Sequence, residues 1–365
     1  MTFKKWMLVI LAVALLLSCI TGCKKAEVEQ QEESAATEET VETEKEESAP
    51  KPTVPSKGPE VVQNDNDKTM TLPSQKEEES PEPEEEPMEE ETPAPEEEEE
   101  EPEVTVEEGN QLKIVDYNVR CVDDGPNKLI EERAARFEVL MDRLDPDIMG
   151  LQEVTPRWLD YLTENFTDEY DYIHRWRAAS SQEGTPVFWK KDKFKKLDSG
   201  YFWLSDTPSK ESKADNWGAE CYRICMWVKL RVKATGKDFL FFNTHFDFKN
   251  DTCHVNSAKV VITEAVKLKA FSKYAIFCTG DYNMGPKGKG YTAMYEKFAD
   301  INADLNNDKS PTTNGYNEES GGGIIDYCFY SPKLVQPLKY QVLNEEINGG
   351  YISDHRGLYI EAALL

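Results

Sequence analysis

Basic residues are the first shortage in this 365-residue chain: 42 Lys and Arg stand against 70 Asp and Glu, a formal net charge of −28. That balance argues against a strongly basic face of the kind that grips nucleic acid tightly. No internal repeat is visible, so a solenoid or propeller is not expected. There is no Gly-rich phosphate loop either. Gly321-Gly322-Gly323 precedes a strand pattern rather than a helix and reads as a flexible turn. Cys221 and Cys225 lie on a strand-like run without a matching second pair, which argues against a zinc site. The apolar run at residues 6–17 is too short for a spanning helix.

The acidity is not spread evenly. Residues 24–110 hold 32 acidic and 7 basic side chains with Pro scattered among them, leaving only about −5 for residues 111–365. Runs such as Glu96 to Glu101 offer no apolar partner for a core. A segment of this kind cannot offset its ordering entropy and is expected to be a disordered stalk. As a flexible coil it would span on the order of 50 Å. The remaining residues suffice for one large α/β domain with a real core.

At the N-terminus Lys4 and Lys5 precede that short apolar run, and Ser18-Cys19-Ile20-Thr21-Gly22-Cys23 follows it. A basic start, a short apolar stretch and small residues before a cut describe a secretory signal. Ile20-Thr21-Gly22-Cys23 resembles the lipobox of bacterial lipoproteins, which implies cleavage before Cys23 and lipidation of its thiol. The expected organisation is a signal peptide at 1–22, a lipidated Glu/Pro-rich linker at 23–110 and a catalytic domain at 111–365. The expected location is extracytoplasmic, on the membrane through the lipid anchor. Of the six further cysteines, Cys278 and Cys328 sit in apolar runs and read as buried small hydrophobes. Export would permit disulfides among Cys121, Cys221, Cys225, Cys253, Cys278 and Cys328, but no pairing is specified.

Within the domain, alternation predicts a strand at 112–118, and strand-like runs, 274–279 among them as a buried one, predict others at 148–151, 186–190, 200–204, 222–232, 238–245, 274–279, 324–330, 334–342 and 358–363. Helical spacing predicts helices at 127–144, 156–166, 256–271 and 291–298. Strands joined both by helices and by hairpins suggest two packed sheets flanked by helices. The polar residues fall at informative places. Asn118 ends one strand and Glu153 follows the next. His245 and Asp247 end another; Asp281 and Asn283 follow the 274–279 strand; Asp326 and Asp354-His355 lie beside the last ones. If those ends converge, they form a cleft of hard oxygen ligands with two imidazoles. Such a donor set suits Mg²⁺ or Mn²⁺ rather than zinc, and suits hydrolysis of a phosphate ester.

Six short motifs carry a resemblance: Asp116-Tyr117-Asn118, Leu151-Gln152-Glu153, Asn243-Thr244-His245-Phe246-Asp247, Gly280-Asp281-Tyr282-Asn283, Ile325-Asp326-Tyr327 and Ser353-Asp354-His355. In this order they resemble the endonuclease/exonuclease/phosphatase superfamily. The resemblance implies a four-layer α/β/β/α sandwich of two mixed sheets flanked by helices. It implies Glu153 as principal metal ligand, with Asn118 beside it and Asp354 completing the site. It also implies Asp281 as the residue that activates water and Asn283 as its partner. His355 would contact the scissile phosphate with Asp326 fixing its ring, and His245 would be a second phosphate contact, supported by Asp247. Singly, each has a plainer reading: a turn former, a loop cap, a helix-start residue or a half-buried histidine. Arg223 reads equally as a phosphate contact or as a strand residue facing solvent. His174 and His254 fall outside the motifs and read as surface or loop residues.

Three functions are then open. One is a metal-dependent phosphodiesterase or phosphatase on a small-molecule or lipid-head-group phosphate. A second is an extracellular nuclease for which DNA or RNA is only a substrate. A third is a non-catalytic surface binding module that kept the fold. A near-balanced domain on a polyanionic stalk should repel long polyanions, which favours the first. A monomer is expected. Phe248 and His254 depart from a bacterial branch of the family near the substrate side, so specificity is expected to differ there.

Overall fold

The computed structural model describes residues 109–305, 308–317 and 322–365. Cys23 and the acidic segment as far as residue 108 lie outside the described residues. Among the described residues fourteen strands are present: β1 Gln111–Asn118, β2 Ile148–Gln152, β3 Tyr170–Ile173, β4 Trp176–Ala178, β5 Ser181–Gly184, β6 Val187–Lys190, β7 Phe194–Trp203, β8 Ile224–Val232, β9 Asp238–His245, β10 Ala275–Asp281, β11 Ala299–Asp300, β12 Asp326–Tyr330, β13 Val335–Leu343 and β14 Gly357–Leu364. One sheet runs β13-β14-β1-β2-β6-β3, the other β11-β12-β10-β9-β8-β7, and β4-β5 form a separate hairpin. Two longer helices, α1 (Ile130–Leu144) and α2 (Pro156–Phe166), belong to the first sheet, and α3 (Asp251–Lys267) to the second.

Both sheets are mixed for the same reason. β1 and β2 are parallel, as are β9 and β10. Each parallel pair is joined through a helix, α1 in the first case and α3 in the second, because parallel neighbours cannot be linked by a tight turn. The helices therefore lie on the outer faces. Two-residue alternation along the strands then fills three apolar interfaces. Leu112 and Ile114 of β1 join Phe239 and Phe241 of β9 and Phe277 of β10 between the sheets. Val115 and Tyr117 turn outward against Phe137 of α1 and Trp158 of α2. Leu240, Phe242, Ile276 and Cys278 turn outward against Val261 and Ala265 of α3. These three interfaces make the four-layer α/β/β/α sandwich.

The inward-facing set changes character at one end. On β1 it continues from Ile114 to Asp116 and Asn118, on β9 from Phe241 to Asn243 and His245, and on β10 from Phe277 to Thr279 and Asp281. Register does the rest: Asp281 pairs with His245 on one side and with Asp326 on the other. Three functional candidates thus stand abreast on adjacent strands. Beneath them a polar belt joins the sheets. Gln152 Nε2 donates to Asp116 Oδ1 and to Asn243 Oδ1 at 2.7 Å each, and Asn243 Nδ2 donates to the carbonyls of Leu151 and Pro186 at 2.8 and 2.9 Å. Gly150 permits this approach, because a Cβ there would lie 2.4 Å from Thr279 Oγ1.

Several elements differ from the sequence expectations. α3 begins at Asp251 rather than 256, since the Asn250 side chain accepts from the Cys253 amide and caps the helix there. It ends at Lys267, and a four-residue helix, Ala270–Lys273, follows. β7 starts six residues before the expected strand. Its first half carries the exposed Lys195 and Lys196 at a sheet edge, which hides the alternation. All six cysteines of the described part are free, with Cys278 and Cys328 buried as expected.

Candidate active site

Glu153 directly follows β2 with φ at 60°, a left-handed backbone that a non-glycine residue adopts at a cost. The turn points its carboxylate back at the end of β1. Asn118 Nδ2 donates to Glu153 Oε1 at 3.0 Å, and the Cys121 amide donates to Glu153 Oε2 at 2.9 Å. The same Asn118 nitrogen donates to Asp281 Oδ2 at 3.0 Å, so one amide bridges carboxylates from the two sheets. Asn118 Oδ1 accepts from the Arg120 amide at 3.0 Å, which fixes which way the amide faces. Burial works against charge on Glu153. The hydrogen bonds from Cys121 and Asn118 outweigh it and hold the carboxyl below the ordinary range.

Both imidazoles approach the same Asp281 oxygen, His245 Nε2 at 3.4 Å and His355 Nε2 at 3.7 Å. Their protonation states differ. Burial disfavours the His355 cation, but Asp326, then Asp281 and Asp354, overcome it and raise the pKa to about 10. Asp326 is well placed for this: His355 Nδ1 lies 3.1 and 3.0 Å from its two oxygens, and Thr312 Oγ1 donates to Oδ2 at 2.6 Å. His245 is pushed well below its ordinary value by burial and by Arg223 and Arg177. It is therefore neutral. Asn283, also left-handed at φ 52°, places Nδ2 at 3.0 Å from the Phe246 carbonyl and 3.1 Å from His245 Nε2. That nitrogen donates to both, so Nε2 of His245 accepts and Nδ1 carries the proton. Burial and then Asp326 raise Asp281 to about 7.

The carboxylate oxygens of Glu153 and Asp281, both oriented by Asn118 Nδ2, have the donor chemistry of a Mg²⁺ or Mn²⁺ site. A second arrangement brings ligand atoms of Asp281, Asp326 and His355 within 4.8 Å of one another, and that buried cluster could also hold a metal ion. The ion pair with Asp326 occupies His355 Nδ1 and keeps the ring protonated, whereas a metal needs neutral imidazole. The Glu153 side is the better seat.

Seven of the candidates, Asn118, Glu153, His245, Asp281, Asn283, Asp326 and His355, thus meet at one mouth of the sandwich. Asp354 sits at its edge, with Oδ2 at 3.6 Å from Arg120 Nε and Oδ1 at 3.2 Å from Ser353 Oγ. Arg223 corrects the solvent-facing reading. It is buried, and its Nη1 lies 3.4 Å from Glu183 Oε1, the oxygen that His245 Nδ1 approaches at 3.9 Å. Asp247 does not hydrogen-bond His245; its carboxylate accepts from the amides of Glu220, Cys221 and Lys249. His254 is buried rather than on the surface, with Nε2 at 2.8 Å from the Asp247 carbonyl, so it props the loop bearing Phe248. His174 is half-buried, edge-on to Trp176.

Sequence reasoning missed Glu183 and its partner Arg177, which form an ion pair beside His245. It also missed Asp116, a fully buried carboxyl pushed well up by burial and by Asp326. Asp116 stands at an inward position of β1, and strand parity was the signal that could have found it.

A profile of the Endonuclease/Exonuclease/phosphatase family matches residues 117–355. No curated protein gives a significant match. Among solved structures, an endonuclease/exonuclease/phosphatase family protein from Bacteroides thetaiotaomicron is similar at a TM-score of 0.62 and 28% identity, over 69% of this chain and 97% of its own. A mannosyl-6-phosphatase from the same organism is similar at 0.62 and 28%, over 70% of this chain and 99% of its own. TDP2 from D. rerio, complexed with a single-strand DNA product, shares the fold at 0.56 and 17%, over 69% of this chain and 98% of its own. With the family profile spanning more than half of the sequence, the chain belongs to the endonuclease/exonuclease/phosphatase family and is a hydrolase of phosphoric ester bonds.

Proposed function

We propose that this chain is a divalent-metal-dependent phosphodiesterase or phosphatase acting on a small-molecule or lipid-head-group phosphate. The observation that carries the reading is the convergence on Asp281 Oδ2 of Asn118 Nδ2 at 3.0 Å and of both imidazoles at 3.4 and 3.7 Å. A carboxylate so placed can orient a water and accept its proton in line with a bound phosphoryl group. The His355 cation, held by Asp326, offers a charged donor to the phosphoryl oxygens as negative charge develops on them. Neutral His245 and Asn283 line the opposite side of Asp281 and complete the cradle. Glu153 would hold Mg²⁺ or Mn²⁺, with Asn118 orienting its carboxylate and Asp354 at the edge of that site. The ion supplies charge neutralisation on the phosphoryl group.

Small substrates are favoured by the likeness to a sugar phosphatase at 28% identity and by charge. A domain of about −5 behind a segment with 32 acidic residues should repel long polyanions. The second reading, an extracellular nuclease, has the fold shared with a DNA-processing protein behind it. The purified full chain should turn over sugar phosphates, inositol phosphates or p-nitrophenyl esters faster than plasmid DNA or RNA. Faster cleavage of polynucleotide, falling steeply with added salt, would favour the nuclease instead.

The lipobox-like Ile20-Thr21-Gly22-Cys23 supports a second part of the proposal, export and anchoring through lipidated Cys23. Cells given radiolabelled palmitate should label the wild-type chain and not Cys23→Ser; equal labelling of both would sink the anchor.

A further inference from the structure

α1 carries an arginine on its apolar face. Arg133 is fully buried among Ile130, Ala134 and Phe137. Its guanidinium makes no hydrogen bond to a carboxylate among the described residues. All five N–H groups instead go to main-chain carbonyls: Nε to Lys128 at 3.1 Å, Nη1 to Val119 and to Ile352 at 3.2 Å, and Nη2 to Arg120 at 3.1 Å and Val122 at 2.7 Å. Burying a cation that no carboxylate hydrogen-bonds is costly, and the nearby charges of Asp124, Asp354 and Asp123 do not fully offset the burial, so the arrangement calls for a return elsewhere.

Two of those carbonyls belong to peptide units whose other ends face the active site. The Val119 carbonyl accepts from Arg133, and the amide of that same peptide, Arg120 N–H, donates to Asn118 Oδ1 at 3.0 Å. The Arg120 carbonyl accepts from Arg133 Nη2 and from Trp158 Nε1 at 2.9 Å, and its amide, Cys121 N–H, donates to Glu153 Oε2 at 2.9 Å. Between the two units Arg120 adopts a left-handed φ of 61°, which brings both amides to bear on the site. The contact with the Ile352 carbonyl ties in the other flank, two residues before Asp354 and three before His355. Arg136, one turn on, repeats the clamp through the carbonyls of Asn127 at 2.9 Å and Tyr351 at 3.2 Å.

We propose that Arg133 is a positioning residue that polarises and orients two successive peptide units against Asn118 and Glu153, while fixing their separation from the Asp354-His355 segment. Hydrogen bonds in series strengthen one another, and a positive charge at the carbonyl end makes each amide a better donor at the far end. Partners of this kind behind metal ligands commonly change metal affinity about 10- to 100-fold when removed. The inference rests on the reading of Glu153, oriented by Asn118, as the metal seat.

The test measures Mn²⁺ affinity by electron paramagnetic resonance, kcat, KM and thermal midpoint on the full chain. The variants are Arg133→Lys, Arg133→Gln, Trp158→Phe and Glu153→Gln. Arg133→Gln should bind Mn²⁺ about 10-fold more weakly and lose kcat rather than raise KM, with Arg133→Lys intermediate. Trp158→Phe, which removes one donor from the Arg120 carbonyl and keeps the core filled, should weaken Mn²⁺ binding about 3-fold even if Arg133→Gln fails to fold. Unchanged Mn²⁺ affinity and kcat in Arg133→Lys and Trp158→Phe, with only the thermal midpoint lowered, would mean a merely structural clamp. If Glu153→Gln abolishes Mn²⁺ binding while the Arg133 and Trp158 variants keep it, this inference alone is overturned. If Glu153→Gln itself keeps full Mn²⁺ binding, the metal reading fails and takes this inference with it.

Discussion

Glu153→Ala should lower kcat/KM for a phosphate ester by about three orders of magnitude or more, and adding Mn²⁺ should not restore it. The size follows from what the carboxylate does. Its neighbours hold it in the ionised state, through Cys121 N–H and Asn118 Nδ2. Removing it leaves Cys121 N–H without its acceptor and the proposed metal seat without its charged oxygen. Asn118 retains its bond to Asp281 at 3.0 Å, so the fold should persist while the chemistry is lost. A variant that keeps its thermal midpoint and more than a tenth of wild-type turnover would contradict the assigned role.

His355→Ala should cost a similar factor, about 10²- to 10⁴-fold in kcat, with little change in KM. The companion variant Asp326→Asn is more diagnostic because it leaves the ring in place. In the native chain the Asp326 pair, with Asp281 and Asp354, lifts His355 to about 10 against the pull of burial. Because the folded value is raised above the unfolded one, the cation's contribution to stability is complete below about pH 6.5 and disappears as pH rises through about 10. Asp326→Asn removes the nearest counter-charge, so His355 should lose its proton at lower pH. The basic limb of kcat/KM should move to lower pH with it. A basic limb at the same pH in both proteins would show that His355 does not act as a cation.

The site was legible in the sequence where a functional residue closes an apolar run. Asn118, His245 and Asp281 end strands whose inward positions begin with Leu, Ile, Phe and Ala and turn polar at Asp116, Asn243 and Thr279, so the change of polarity marks the layer at which the cleft opens. The two-sheet architecture was legible too, since β1 and β8 alternate and β9 and β10 are short continuous apolar runs buried on both faces. Other parts depend on contacts far apart in sequence. Glu183 and Arg177 sit on strands of four and three residues, too short and polar to show alternation. Arg133 lies on an amphipathic helix beside Arg136, where sequence alone suggests a solvated face; the carbonyls that bury it come from residues 119–128 and from Ile352. The left-handed turn at Glu153 has no glycine to announce it. His254 looked like a surface residue because its partner is a backbone carbonyl, that of Asp247.

The central claim is that this chain hydrolyses phosphate esters through a divalent metal held at Glu153. Its most direct test is the turnover of bis-p-nitrophenyl phosphate and p-nitrophenyl phosphate by the full chain as EDTA is titrated in and Mn²⁺ or Mg²⁺ is returned, with Glu153→Ala alongside. The expected result is loss of at least one of the two activities with EDTA, recovery with the metal, and no recovery in the variant. Turnover that persists in excess EDTA, or that the variant recovers as fully as the wild type, would contradict the account.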